Sequence, residues 1–340
     1  MPKAEGAARR STCRSLMGVR ILATGAYVPD HVVTNDELQR RMGLPAAALY
    51  RHTGIRERRH AAPDQATSDL CVEAARQCMQ RAGVTAKDVD SLIVATVTAD
   101  MSFPSTACIV QDKLGLSCPA MDISAACAGF VYALVTASAH VASGLSDLVL
   151  VVGGETLSRY VNPNDMKTYP LFGDGAGAVL VGRGSPEQGL IRCTLGSDGS
   201  GGMFLHRKAG GSRVVLSPEV LLAGEQYLRM DGRAVFSWAV GTLCDTVKQV
   251  LDSAGLAPGD VDLYVPHQAN VRIINAALDV LGIPRGLVVT NIERYGNTSA
   301  ASVPMALNEA VQDDRVRPGD RIVMSGFGAG LTWGTALWKW

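Results

Sequence analysis

Short apolar runs recur along the chain, each preceded by a segment whose apolar positions follow a helical period. Residues 68–81 (SDLCVEAARQCMQR) and 239–253 (AVGTLCDTVKQVLDS) place apolar side chains near i, i+3, i+4 and i+7, the spacing of one helix face. Each leads into a matching link, AGVTAKDVD at 82–90 and AGLAPGDVD at 254–262, offset by 172 residues. An apolar run follows each link, SLIVATV at 91–97 and LYVP at 263–266. A second pair, SDLVLVVGGE at 146–155 and GDRIVMSGFG at 319–328, repeats at an offset of 173. Two matches at almost one offset predict a duplicated helix–strand–helix–strand unit. The strand runs do not alternate polar with apolar, so helices are expected on both faces of each sheet. The expected fold class is α/β in two halves, residues 18–185 and 186–340, divided within RGSPEQGL at 183–190.

Composition narrows the roles. With 47% hydrophobic and 19% charged positions in 340 residues, the chain can bury a sizeable core and is not of disordered composition. Lys and Arg total 32, as do Asp and Glu; a net charge of zero argues against nucleic acid or a membrane surface as the main partner. No uninterrupted apolar stretch approaches the roughly 18–20 residues of a membrane span. Residues 1–17 carry Lys3, Arg9, Arg10, Arg14 and the amino terminus against Glu5, with no apolar h-region, so no secretory signal is expected. They read as a disordered tail before a second start at Met17, with a transit peptide as the other reading; the tail reading implies a reducing cytoplasm. Eight cysteines, at 13, 71, 78, 108, 118, 127, 193 and 244, form no C-x-x-C and have no accompanying His cluster, so no metal site is expected.

Four segments carry candidate chemistry. In PAMDISAACAGFVYALVTASAHVASG (119–144) a strand end gives way to an apolar helix, and Cys127 falls at the junction. Unpaired amides and the helix dipole there favour a thiolate and are expected to lower its pKa. A buried structural cysteine is the plainer alternative, and the one preferred for Cys71, Cys78 and Cys244. His267 ends the strand of VDLYVPHQANVRIINAAL, where open α/β sheets gather ligands, whereas the other five histidines read as surface or packing residues. Asn297 follows a strand and turn in LVVTNIERYGNTSAAS (287–302), as a polar site residue or as a helix N-cap. MSGFGAGLTWG (324–334) ends a strand in a Gly-rich turn whose bare amides suit an oxyanion hole.

SAACAGF, VPHQANVR, YGNTSAASVP and GFGAGLTWG, with FGDGAGAVL (172–180) and HTGIRERR (52–59), resemble the 3-oxoacyl-[acyl-carrier-protein] synthase III family, which initiates type II fatty-acid synthesis. The resemblance runs from about Gly18 to Trp340. It implies a thiolase-like fold in five layers, α/β/α/β/α, usually a homodimer, with no permanently bound cofactor. Its substrates are CoA or phosphopantetheine thioesters, its partner the acyl carrier protein. By resemblance Cys127 takes the acyl group, the amides of Cys127 and Ala329 hold the oxyanion, and His267 with Asn297 stabilises the enolate of a decarboxylating malonyl thioester. An Asn in this triad favours decarboxylative condensation, because it cannot remove a proton. The resemblance also makes Gln268, Ala269, Asn270, Val271 and Arg272 the carrier-protein and pantetheine stretch. Phe103, Met230 and Phe327 become acyl-pocket residues, Phe103 reaching in from the other subunit.

Three positions depart from that pattern. Ala48 stands where the family usually has a tryptophan that stacks on the CoA adenine, and His52 and Met166 stand where arginines are usual. Tyr50, Arg51 and Arg59 are candidate substitutes; otherwise the donor is carrier-bound or the pathway a specialised one. Rival readings stay in view. Cys127, His267 and Asn297 occur in papain order, but the papain signature around the cysteine is absent. A non-catalytic scaffold should have lost a triad member. A same-fold acyltransferase that does not condense is separated from a condensing enzyme by carbon dioxide release.

Overall fold

The computed structural model describes residues 13–340. The amino-terminal half supplies strands β1 (Arg14–Met17), β2 (Val19–Tyr27), β3 (Ser91–Ala95), β4 (Ala120–Ile123), β5 (Leu148–Thr156) and β6 (Asp174–Arg183). The other half supplies β7 (Gly189–Ser197), β8 (Leu263–Pro266), β9 (Arg321–Gly328) and β10 (Thr332–Lys339). One sheet runs β2-β6-β5-β3-β4 and the other β1-β7-β10-β9-β8. In each, the two strands matched by the repeat pair in parallel, Leu92 opposite Leu150 in one sheet and Val265 opposite Met324 in the other. The second sheet even keeps a vestige of a fifth repeat strand, since Val288 bridges Tyr264 in parallel where β4 flanks β3.

The main helices are α1 (Thr67–Ala82), α2 (Thr106–Leu114), α3 (Gly129–Ser143), α4 (Gly232–Ala254), α5 (Val271–Leu281) and α6 (Ser302–Gln312). Successive strand residues point to opposite faces, and here both faces are dry. Ile93, Val149 and Val151 from one sheet join Leu263, Val265, Ile322 and Met324 from the other in a central core. Phe130, Leu134 and Ala137 of α3 and Val303, Ala306 and Leu307 of α6 fill the space between them. The intervening residues Leu92, Val94, Leu150 and Val152 pack under α1 and α2, and Tyr264 and Val323 pack under α4 and α5. The layers are therefore helices, sheet, helices, sheet, helices, and the absence of alternation in the strands is their direct consequence. Residues 126–143 are apolar and long enough to cross a membrane, yet most of them are buried between the two sheets.

Two expectations change. The tail was expected to be disordered through residue 17, but Arg14–Met17 forms an edge strand antiparallel to β7, with Arg14 opposite Cys193. Residues 1–12 of that tail lie outside the described residues. The strand expected in LVVT also fails to form: a short 3-10 turn, Arg285–Leu287, and the single bridge at Val288 replace it, before the one-turn helix Ile292–Tyr295.

Candidate active site

Cys127 sits in a 3-10 turn, Ala126–Ala128, between β4 and α3. The turn is tight: Ala126 adopts φ +46°, in the left-handed region that a side chain normally avoids. The end of β9 lies against it because two glycines present no side chain. A Cβ at Gly328 would stand 2.6 Å from the Cys127 amide nitrogen, and one at Gly326 would stand 2.8 Å from its carbonyl oxygen. On the other side, Gly153 of β5 admits the turn Ser299–Ala301, where a Cβ would meet the Ala300 carbonyl at 2.3 Å.

Burial, the largest influence, pushes the Cys127 thiol up to about 12; a hydrogen bond from Ser299 opposes this and the Glu155 carboxyl adds to it. That corrects the expected lowering. The helix dipole acts at a largely buried junction, and loss of hydration outweighs it. The thiol is protonated at neutral pH, so its attack on a carbonyl requires somewhere for the proton to go.

His267 continues from β8, its amide donating to the Ser325 carbonyl at 2.7 Å. It is 1% exposed, and burial pushes its pKa down to about 3, so the ring is neutral. Nδ1 meets the Ser302 hydroxyl at 2.7 Å, and Phe327 packs edge-on against the ring at 5.3 Å. Asn297 is held by its own amide donating to Leu171 at 2.8 Å. Its side-chain oxygen accepts the Ser299 amide at 2.9 Å, a local turn bond that leaves the NH2 group as the donor for a ligand. The residue capping the turn Ser299–Ala301 is Thr298, so Asn297 is not the N-cap.

Cys127, His267 and Asn297, each from a different junction, line one cavity of about 530 Å³. Met230 and Phe327, expected around the acyl group, line it, and so do Phe236, Trp238 and Arg233, which sequence reasoning missed. A second cavity of about 320 Å³ also opens on Cys127 and contains Ala329, with apolar walls from Leu157, Leu205 and Leu228. Phe103 lines neither; it is 84% exposed on a loop of its own chain.

The stretch from Gln268 to Arg272 divides. Gln268 is wholly buried: its NH2 donates to Pro266 and Val289 at 2.7 and 3.2 Å, and its oxygen accepts the Asn291 amide at 3.1 Å. It braces the site from behind and cannot meet a carrier protein, which corrects that assignment. Ala269, Asn270 and Arg272 do line the larger cavity, while Val271 packs against Gly54. Asn270 caps α5 through the Arg272 amide at 2.8 Å and donates to the His52 carbonyl at 3.2 Å; Arg272 lies over Phe236.

Ala48, His52 and Met166 line one small, apolar pocket of about 290 Å³ with Leu44, Pro45 and Lys167. The proposed substitutes face elsewhere. Tyr50 lies under Arg56, Arg51 lines a separate pocket, and Arg59 pairs with Glu57 at 3.1 Å. Lys167 is the cation that this pocket keeps.

One more group lies beside the site. Glu155 ends the apolar strand β5, fully buried, and accepts from Thr98 Oγ1 at 2.6 Å, Thr96 Oγ1 at 3.2 Å and Ser299 Oγ at 3.0 Å. A carboxylate closing a run of buried apolar residues was the signal that could have found it. Burial pushes its pKa up to about 7.

Comparison with known proteins places these features in a family. The model described as 3-oxoacyl-[acyl-carrier-protein (ACP)] synthase III matches residues 121–199, and that family's C-terminal model matches residues 251–340. The β-ketoacyl-[acyl-carrier-protein] synthase III of Rhodopirellula baltica is 46% identical, over 96% of this chain and 99% of that protein. The crystal structure of the 3-oxoacyl-[acyl-carrier-protein] synthase III of Aquifex aeolicus superposes with a TM-score of 0.88 at 40% identity, covering 95% of this chain and 100% of that one. The priming β-ketosynthase of the R1128 polyketide pathway superposes at 0.89 with 38% identity, covering 96% and 97%.

Proposed function

The chain belongs to the 3-oxoacyl-[acyl-carrier-protein] synthase III family, acyl-transferring condensing enzymes of thiolase-like fold, and we propose that Cys127, His267 and Asn297 divide the labour of its two half-reactions. The enzyme joins an acyl primer to malonyl carrier protein with loss of carbon dioxide, the step that starts fatty-acid synthesis.

In the first half-reaction the Cys127 sulfur attacks the primer thioester carbonyl, its proton passes to the donor sulfur, and collapse of the adduct expels the donor thiol. The Cys127 and Ala329 amides receive the oxyanion, and Gly328 lets those two segments approach. The apolar second cavity takes the acyl chain; the larger one admits the pantetheine arm past Asn270 and Arg272. In the second half-reaction the malonyl C–CO2 bond breaks and its electron pair passes into an enolate. His267 Nε2–H and the Asn297 NH2 donate to the enolate oxygen. The enolate carbon then attacks the acyl carbonyl and Cys127 departs as the leaving group. No step needs a base on these donors, which fits a neutral imidazole and an amide.

The observation that carries this assignment is the convergence of one thiol and two neutral donors on a single cavity. Arg233 and Arg272 at its mouth suit an acidic carrier protein. Exposed Met101 and Phe103 support a homodimer in which that loop is covered. All eight cysteines are free thiols, which supports the cytoplasm as the compartment. A division into halves at residues 185 and 186 goes with the two sheets, apart from β1. The apolar pocket at Ala48, His52 and Met166 favours a second reading of the donor, as a carrier-bound primer in a specialised pathway. Intact-mass measurement after incubation with acyl-CoA tests the nucleophile: the acyl mass appears on wild type and not on Cys127→Ala. Acylation of the variant would remove Cys127 from the mechanism.

A further inference from the structure

The second cavity opening on Cys127 is not apolar throughout. A two-stranded ribbon, Leu205–Arg207 against Leu228–Met230, forms one wall, with Leu205 opposite Met230 and Arg207 opposite Leu228. Met230 lines the larger cavity, Leu205 lines both, and Leu228 and Arg207 line the second, so the ribbon leads from one into the other. Side chains two apart on a strand share a face, which puts Arg207 about 7 Å beyond Leu205 on that wall. Tyr160 lines the same cavity, and the Arg207 guanidinium carbon stands 4.1 Å from its ring centroid.

Arg207 is held in one pose with its charge unpaired. Its Nε donates to the Gln226 carbonyl at 2.6 Å. A Cβ at Gly210, itself at φ +98°, would stand 3.1 Å from Nη2 and 3.2 Å from both Cζ and Nη1, so the glycine lies flat against the guanidinium. Nη1 and Nη2 donate to nothing among the described residues, and the Tyr160 hydroxyl has no hydrogen-bond partner among them. The acid of this loop, Glu225, is already taken by Lys208 at 2.5 Å and Arg229 at 4.0 Å. Two free Nη groups form a fork that matches the two oxygens of a carboxylate, and a tyrosine hydroxyl adds a third donor.

We propose that this cavity takes a primer whose far end carries a carboxylate, the half-thioester of a dicarboxylic acid, with Arg207 and Tyr160 as the residues that select it. The methylene chain lies along Leu157, Leu205 and Leu228, and the terminal carboxylate meets Arg207 Nη1 and Nη2 and the Tyr160 hydroxyl. A wholly apolar cavity would strip that carboxylate of water and offer nothing in return. Arg207 is an exposed residue, so the pair forms where desolvation is small.

The proposal rests on Cys127 loading its acyl group into this cavity, and its test separates the two. Adipyl, its methyl ester and hexanoyl, with suberyl, its methyl ester and octanoyl as a longer set, are presented as pantetheine thioesters at subsaturating concentration. Single-turnover loading is read by intact mass for wild type, Arg207→Met, Arg207→Lys and Tyr160→Phe. In at least one set, wild type should load the diacid no slower than the monoacid and about tenfold faster than the methyl ester. In Arg207→Met the diacid-to-monoacid ratio should fall roughly 10- to 100-fold, the range for hydrogen bonds to a charged group. Arg207→Lys should recover part of it, because the charge returns without the fork. Tyr160→Phe should lower the ratio by about threefold. Wild type that disfavours the diacid by about tenfold in both sets, as an apolar cavity would, overturns the proposal. So does an Arg207→Met ratio equal to that of wild type. If Arg207→Met does not fold, the wild-type choice between diacid and methyl ester decides, and a preference for the ester in both sets is contrary. Wild type that loads none of these groups on Cys127 would instead sink the nucleophile assignment.

Discussion

His267 Nδ1 and the Ser302 hydroxyl oxygen lie 2.7 Å apart, both buried, at the start of the helix that fills the space between the sheets. The same hydroxyl oxygen accepts the Gln268 amide at 3.4 Å. That oxygen can accept from two donors, so the enolate role assigned to His267 requires the serine proton to go to Nδ1 and the imidazole proton to sit on Nε2. In that arrangement Ser302 holds the tautomer that an enolate requires.

Ser302→Ala releases that tautomer. Malonyl decarboxylation by pre-acylated enzyme should fall roughly tenfold, the worth of one hydrogen bond of about 1.4 kcal/mol, while loading of Cys127 stays within about twofold. Carbon dioxide release and intact mass read the two half-reactions separately. Equal losses in both would show that Ser302 supports the fold and not the tautomer.

The apolar pocket at Ala48, His52 and Met166 has no tryptophan, tyrosine or phenylalanine face for a nucleotide base, only the smaller His52 ring, and one lysine, Lys167. Stacking and cation–π contacts contribute a few kcal/mol at most where they exist. Their loss leaves the pantetheine arm, near Asn270 and Arg272, as the main handle on the donor. One acyl group presented on CoA, on pantetheine and on carrier protein should load Cys127 with little advantage to CoA over pantetheine. Ala48→Trp with Met166→Arg should lower the KM for acyl-CoA. A preference for CoA of about 100-fold in wild type, about 2.7 kcal/mol, would mean the nucleotide finds other partners.

Glu155 also predicts how stability changes with pH. Its ordinary value is 4.5 and its folded value about 7, so the folded state holds a proton that the unfolded state gives up between those limits. Stability from this proton is complete below about 4.5 and lost as pH rises through 7, a difference of about 3 kcal/mol. Glu155→Gln cannot ionise, and its oxygen can keep the Thr98 bonds while its NH2 donates to Ser299. Relative to wild type, the variant should gain stability between pH 5 and pH 8 in urea titrations. A constant difference across that range would contradict a raised carboxyl pKa.

The repeat was readable because it is a matter of chain spacing: strands 91–95 and 148–156 pair in parallel in one sheet, as 263–266 and 321–328 do in the other. The five layers were readable for a similar reason, since Leu92 and Ile93 are both apolar yet serve different cores. Junction residues such as Cys127 and His267 stood out by their place between periodic segments. What pattern could not convey was enclosure. The thiol's raised pKa, the burial of Gln268 and the role of Ser302 all depend on segments more than a hundred residues apart in places, as with Cys127 and Gly328. Arg14–Met17 was missed because a four-residue edge strand has no period of its own and is defined by its partner β7.

The separation of half-reactions by Asn297→Ala is the most direct test of the account. The asparagine is assigned to the enolate oxygen alone, and Cys127 with its oxyanion amides to the primer. The variant, given an acyl thioester and then malonyl carrier protein, should acquire the acyl mass on Cys127 at close to the wild-type rate. Its carbon dioxide release should fall by on the order of 100-fold or more. Loading and decarboxylation that decline together, or decarboxylation that survives, would contradict the division of labour among Cys127, His267 and Asn297.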